Sequence, residues 1–349
     1  MATDLVPTGR RPIARACSRG QRELLRIGLP LVVVIFLLIP LFSTPGLLQP
    51  QTERISLVDG PSAPATNLIR VNLPYYVHSV AAGNTTHGRG VAWIFNDTLR
   101  FKDPVNLVDA SVNIGIGDPV LNTLIGADID TDGHTEFLFM KSNLTNMNLV
   151  VVDFDTGSAT EYNYDPVPNP RGIIVGDFNG DVLIDVGVYN LNRVVMKDLN
   201  GDAIIGGFVV PVNATLVKAV VGNFSTKAGE EVGVLYITGG TGMPIANVDT
   251  MYGNGTVIDH VASLAGVWAS DMISFEYEND LDNVAVAMVD DIASESILTV
   301  LNANLTLRFE IRNTKYHGPA FVKTGYFDMD SQVDLVVVPG QYYTMYFAN

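Results

Sequence analysis

Residues 173–189 read IIVGDFNGDVLIDVGVY, and this stretch decides the fold. A β-branched apolar run ends at Gly176, nine positions rich in side-chain oxygens follow, and a second apolar run begins near Val186. Short apolar runs bounded by Gly, Asn and Asp read as strands joined by a tight loop. The pattern recurs in LIGADIDTDGHTEFLFM (124–140), AVVGNFSTKAGEEVGVLY (219–236) and FVKTGYFDMDSQVDLVVV (321–338). A looser copy is VWASDMISFEYENDLDNVAVAM (267–288), and VAAGNTTHGRGVAWIF (80–95) is a degenerate sixth.

Taking the first loop position of each copy gives 82, 128, 177, 223, 271 and 326, with spacings of 46, 49, 46, 48 and 55. A period of about 48 residues holds four short strands with their turns, the content of one propeller blade. The intervening sequence supplies the other strands: RVVMK, the DLNGD turn and AIIGGFVVPV after Tyr189, and NLVVVDF, DTG and SATEYNY after Met140. No segment after residue 50 carries a 3.6-residue apolar period. The expectation is an all-β propeller over 75–349 with six blades, or seven if residues 50–75 hold another. A strand from about 53–73 should complete the last blade, because a propeller closes its ring to remove sheet edges.

Working outward, charge divides the chain. Six Arg precede residue 27 (10, 11, 15, 19, 22 and 26), against Asp4 and Glu23. After residue 50 there are 15 Lys and Arg against 35 Asp and Glu, a net charge of −20. Between them lies IGLPLVVVIFLLIPLF (27–42), uncharged and apolar, which reaches a spanning length when extended to Leu48. The arginines hold its N-terminal side in the cytoplasm. This predicts a basic tail (1–26), a transmembrane signal anchor (27–48), a stalk (49–74) and an extracellular propeller (75–349). A cleaved signal peptide competes, but Thr44-Pro45-Gly46 is a poor cleavage site and the basic lead is long.

Sequons at Asn84, Asn96, Asn143, Asn213, Asn223, Asn254 and Asn304 point to the same outside location and a glycoprotein. The single Cys, Cys17, excludes an internal disulfide and a Cys-based zinc cage. An ectodomain without Cys suits an archaeal or bacterial envelope better than an animal cell surface. The acidic balance excludes a nucleic-acid binder, which needs Lys and Arg against phosphates.

The loops carry the chemistry. In 128–136, Asp128, Asp130 and Asp132 hold positions 1, 3 and 5, Gly133 position 6 and Glu136 position 9. In 177–185 the same places hold Asp177, Asn179, Asp181, Val182 and Asp185. In 326–334, Tyr326 stands at position 1 and Asp328, Asp330 and Asp334 at 3, 5 and 9. Oxygens at alternate positions of a tight turn converge on one point, and the backbone carbonyls of His134 and Leu183 at position 7 add to them. Such hard oxygen sets suit Ca²⁺, with Mg²⁺ second. An EF-hand is excluded, since its bidentate Glu at position 12 is here Phe139, inside a strand.

DFNGDVLIDV (177–186), DIDTDGHTEF (128–137) and YFDMDSQVDL (326–335) resemble the FG-GAP/VCBS repeats, the calcium-looped propellers of integrin α subunits. The resemblance covers about residues 75–349. It implies structural calcium in the hairpin joining the first two strands of certain blades, and a role in binding or adhesion toward an extracellular protein or glycan. Polysaccharide lyases use the same repeats, so a calcium-dependent lyase or hydrolase is the alternative, with a passive envelope component the third. The His residues (78, 87, 134, 260 and 317) show no metal-ligand spacing and no G-x-S-x-G elbow occurs, so catalysis finds little support.

Three loops depart from the pattern. In 223–231, Lys227 stands at position 5 and either replaces the cation against Glu231 or lies in solvent. The 271–282 loop carries Glu276, Glu278, Asp280 and Asp282 and reads as a solvated acidic loop rather than an irregular calcium site. The 82–90 loop should bind nothing, and DLNGD (198–202) reads as a hairpin turn.

Overall fold

The computed structural model describes residues 79–349 except 104–107, 116, 144–145, 165–166, 240–241, 264–265, 278, 314–319, 326–333, 340–343 and 347–349. The expected tail, anchor, stalk and ring-closing strand lie outside the described residues. Among those described every element is a strand, and no helix is long and apolar enough to cross a membrane.

Twenty-four strands form six sheets among the described residues. Sheet 1 is β1 (Val80–Thr85), β2 (Gly88–Phe95), β3 (Thr98–Asp103) and β4 (Val108–Asn113). Sheet 2 contains β5 (Asp118–Pro119), β6 (Ile125–Ala127), β7 (Glu136–Asn143), β8 (Asn146–Asp153) and β9 (Ser158–Asn163); both β5 and β6 pair with β7. Sheet 3 is β10 (Gly172–Gly176), β11 (Asp185–Tyr189), β12 (Arg193–Asp198) and β13 (Ala203–Val209). Sheet 4 is β14 (Thr215–Gly222), β15 (Glu231–Thr238), β16 (Ile245–Met251) and β17 (Val257–Ala262). Sheet 5 is β18 (Val267–Tyr277), β19 (Asn279–Asp290), β20 (Glu295–Leu301) and β21 (Leu307–Asn313). Sheet 6 is β22 (Ala320–Gly325), β23 (Asp334–Pro339) and β24 (Thr344–Tyr346). Each is an antiparallel meander in chain order, and the DLNGD segment is the turn between β12 and β13.

The sheets stack face to face, because their central strands are apolar on both sides. Alternate residues of a strand point to opposite faces. In β7, Phe137 and Phe139 pack with Ile94, Leu99 and Phe101 of sheet 1. Leu138 and Met140, one residue out of step, pack with Val186, Val188 and Val195 of sheet 3. In β15, Val232, Val234 and Tyr236 meet Val194 and Met196 of sheet 3, whereas Leu235 meets Met272, Val284 and Val286 of sheet 5. In β19, Ala285 and Ala287 turn the other way, onto Val322, Leu335 and Val337 of sheet 6. Continuous runs such as VGVLY and NVAVAM are thus two interleaved core faces, not one. Early strands of each sheet lie against one another across these stacks: β1 against β6, β10 against β14, β14 against β18 and β18 against β22.

Two expectations need correction. The 271–282 segment is no loop: β18 and β19 run on as a long hairpin, with Glu276 directly opposite Asp282. Its apolar residues Met272 and Phe275 alternate with polar ones and hold the strand to the core. Likewise 82–90 is a tight hairpin, in which Thr85 pairs Gly88 across a two-residue turn.

Candidate metal centre

The 128–136 and 177–185 loops fold alike. In both, the first carboxylate bonds the backbone N–H at position 6: Gly133 N to Asp128 Oδ2 at 3.0 Å, and Val182 N to Asp177 Oδ2 at 2.9 Å. The side chain at position 3 takes the N–H of position 5, and that at position 5 takes the N–H of position 7. The backbone is left-handed at positions 4 and 6 of both, through Thr131 and Gly133 in one and Gly180 and Val182 in the other. The glycine has changed place, so each loop forces one side chain into a conformation that L residues avoid. Val182, β-branched with φ of 73° and largely exposed, is the more strained of the two.

At position 9 a buried carboxylate closes the loop by accepting the N–H of position 2: Ile129 to Glu136 at 2.8 Å, and Phe178 to Asp185 at 2.9 Å. Burial, followed by the charges of Asp130, Asp132 and Asp128, pushes the Glu136 carboxyl up to about 7. Burial and the charges of Asp181 and Asp198 push Asp185 up to about 6. Asp185 is fully buried, and its Oδ1 has no hydrogen-bond partner.

Carboxylate oxygens of Asp128, Asp130 and Glu136 all lie within 4.8 Å of one another, the spacing of ligands around one ion. Asp132 instead joins the His134 ring and Asp155, with His134 Nδ1 2.5 Å from Asp155 and 3.7 Å from Asp132. The ring thus points to the β8–β9 turn, which leaves the His134 carbonyl as its contribution to the loop. Asp155 escaped the sequence reading, because its DTG setting reads as turn chemistry. Its other oxygen takes Thr86 N and Oγ1 of sheet 1, at 3.0 and 2.6 Å. In the second loop Asn179 Nδ2 lies 3.1 Å from Asp181 Oδ2, and Asp177 Oδ1 takes the Gly180 and Asp181 N–H groups. Asp328 and Asp330 lie outside the described residues. Asp334 opens β23, paired with Gly325.

The 223–231 loop solves the same problem without a cation. Glu231, also buried, takes the N–H groups of Phe224 and Ser225, while the Ser225 hydroxyl donates to its other oxygen. The Lys227 ammonium goes elsewhere, 3.8 Å above the Tyr252 ring. Of the two expected places, against Glu231 or in solvent, the ammonium takes neither simply: it makes a cation–π contact, which needs less desolvation of the ammonium than a buried ion pair.

A further contact recurs between sheets. Glu230 donates its N–H to the Asp177 carbonyl at 2.7 Å and accepts the Asp177 N–H on Oε2 at 2.8 Å. Thr135 does the same to Asn84, at 2.6 and 2.9 Å, and Asp282 to Asn223, both at 2.8 Å. The residue before each clasped one is Gly83, Gly176 or Gly222, where an added Cβ would lie 2.5–3.0 Å from the clasping side chain. This makes Asn84, not Ala82, the structural counterpart of Asp177. The Gly that precedes the acidic loops is there for the neighbouring sheet to approach.

No family model matches the sequence, and no curated protein does either. Similar folds occur in solved structures. Hydrazine synthase of Kuenenia stuttgartiensis matches 79% of this chain and 79% of its own, at 12% identity and a TM-score of 0.49. The β-propeller domain of Cps50 (Swd1) from Myceliophteria thermophila matches 78% of this chain and 84% of its own, at 10% and 0.46. A protein of unknown function from Bacteroides caccae covers 60% and 68%, at 12% and 0.38. Likeness at this level assigns no activity to the chain.

Proposed function

We propose that residues 75–349 form a closed, six-bladed, FG-GAP-like β-propeller, clipped by structural calcium and held outside the cell by the 27–48 anchor as a binding or adhesion module. One observation carries the metal reading. Two loops that share four hydrogen bonds position for position bury a position-9 carboxylate among other carboxylates, and in one of them a buried carboxylate oxygen has no partner among the described residues. A buried, unpaired anion is costly, and a divalent cation removes that cost.

Asp128, Asp130, the His134 carbonyl and Glu136 would hold one ion, with Asp132 turning to it from the His134 ring; Asp177, Asn179, Asp181, the Leu183 carbonyl and Asp185 would hold another. Asp328, Asp330 and Asp334 complete the proposed set from the sequence pattern alone. Hard, all-oxygen donors on an irregular loop favour Ca²⁺ over Mg²⁺. The ion would neutralise the loop and fix its edge, leaving ligand recognition to other surfaces. The six described sequon asparagines (84, 96, 213, 223, 254 and 304) are exposed, which agrees with an outside location.

The test is thermal unfolding of the full-length chain in detergent, with millimolar Ca²⁺, Mg²⁺ or chelator. Calcium should stabilise by about 2.7 kcal/mol per site at 100 times Kd, and the rise in Tm should vanish when Asp128 and Asp177 are both changed to Ala. Equal unfolding in all three conditions would end the calcium reading.

A further inference from the structure

A group of cations away from the metal loops has less anionic company than its charge calls for. Lys218 lies on β14, Asp271 on β18 and Lys323 on β22, the first strands of three consecutive sheets. Both ammoniums converge on the single carboxylate of Asp271, at 3.8 Å for Lys218 and 4.0 Å for Lys323. These are ion-pair distances, too long for hydrogen bonds, and neither ammonium donates a hydrogen bond to any described residue. Asp271 itself is buried, and its Oδ2 takes the Val322 N–H at 3.1 Å.

The other two buried or nearly buried lysines show what a satisfied cation looks like here. Lys141 is bonded to the Ile114 carbonyl and to Glu161. Lys197 is bonded to the Asn163 carbonyl and paired with Asp202, over the Tyr164 ring. Lys218 and Lys323 instead keep a third and a half of their side chains open to solvent and, among the described residues, have only the long contact to Asp271.

Among the described residues, two positive charges facing one negative leave a local excess of +1, in a segment whose net charge is −20. The cations also repel each other: burial and then Lys218 hold the Lys323 ammonium below its ordinary range.

We infer that Lys218 and Lys323 form a binding site for a small anion, a carboxylate or an inorganic oxyanion, on the first strands of the sheets. The surrounding negative field sets the size of the ligand. A long polyanion would be repelled over most of its length, whereas a single compact charge gains from two ammoniums and meets one carboxylate. The site needs no metal and is separate from the calcium proposal.

The experiment titrates the full-length chain in detergent and chelator with sodium acetate, sulfate or phosphate at constant ionic strength, made up with chloride, and follows binding calorimetrically. Saturable binding of at least one anion is expected; acetate against sulfate and phosphate tells a planar carboxylate site from a tetrahedral one. Lys323→Met and Lys218→Met should each weaken it at least tenfold, with Lys102→Met, a surface lysine paired to Asp109, as the unchanged control. Asp271→Asn keeps an oxygen for Val322 N–H and removes the competing charge, so it should tighten binding several-fold. No saturable binding to the unaltered chain, or equal affinity in the Lys323→Met variant, overturns the proposal. Weaker binding in a folded Asp271→Asn chain overturns it too, since a purely structural ion triad would lose rather than gain.

Discussion

The 177–185 and 223–231 loops lie on neighbouring sheets, have equal length and close in the same way, with a buried position-9 carboxylate on the N–H of position 2. They differ in what faces that carboxylate's second oxygen. Ser225 supplies a hydroxyl to Glu231, and among the described residues none supplies Asp185 Oδ1. One loop is finished by its own side chains, and the other needs a partner from solution. A metal loop is therefore recognised less by how many acids it holds than by the donor it lacks: 223–231 ends in two glutamates and still has its charge answered.

The largest effect that would break this comparison is on pH dependence in chelator. Glu136 and Asp185 have folded pKa values of about 7 and about 6, above the 4.5 and 3.8 of the free groups. The folded state thus holds these protons more tightly than the unfolded one. Their contribution is full below about pH 4 and is lost as pH rises through 6 and 7. Between pH 5 and 8 the metal-free chain should lose on the order of 3 kcal/mol, and Glu136→Gln with Asp185→Asn should flatten the profile. With calcium the slope should reverse, because the ion competes with those protons. A flat profile in the unaltered chain would show that the carboxylates are already satisfied.

A smaller effect sharpens the other side. Ser225→Ala strips Glu231 of its hydroxyl donor and should cost about 1–3 kcal/mol, whether calcium or chelator is present. A cost that appears only in chelator would mean that 223–231 binds the ion after all. The smallest effect is a gain. Val182→Gly relieves a β-branched residue with φ of 73° and should raise stability by up to about 1 kcal/mol in urea titrations, with calcium affinity unchanged.

Much of the architecture was legible because it repeats. Two-residue alternation, short apolar runs and turn residues at near-constant spacing locate the hairpins, and VGVLY or NVAVAM read as strands on any scale. The sequence is weaker where polarity and structure part company. FEYENDLDN looks like a loop by composition, yet Met272, Phe275 and Val284 anchor both arms of a hairpin, in which Glu276 stands opposite Asp282. Within the candidate site, the order of ligands along each loop is visible in DIDTDGHTE and DFNGDVLID. What comes from another sheet or another turn is not: Asp155 beside His134, Tyr252 beneath Lys227 and Glu230 on Asp177 are distant in sequence, and spacing holds no trace of them. One such contact does leave a mark, namely the glycine before Asn84, Asp177 and Asn223.

That mark has a consequence for how the molecule comes apart. Between sheets 2 and 3 the place of the glycine is taken by Ala127, and the place of the clasping side chain by Ile184, which has no oxygen to offer. Among the described residues, the row of latches along the loop edge is therefore interrupted between sheets 2 and 3. Tyr164 and Lys197 fasten the same two sheets elsewhere, so this is a seam with one edge undone rather than a break. Under a steady pull along the chain, a crack starts where the fewest bonds share the load. This seam should open before those between sheets 3, 4 and 5, which stay joined to one another.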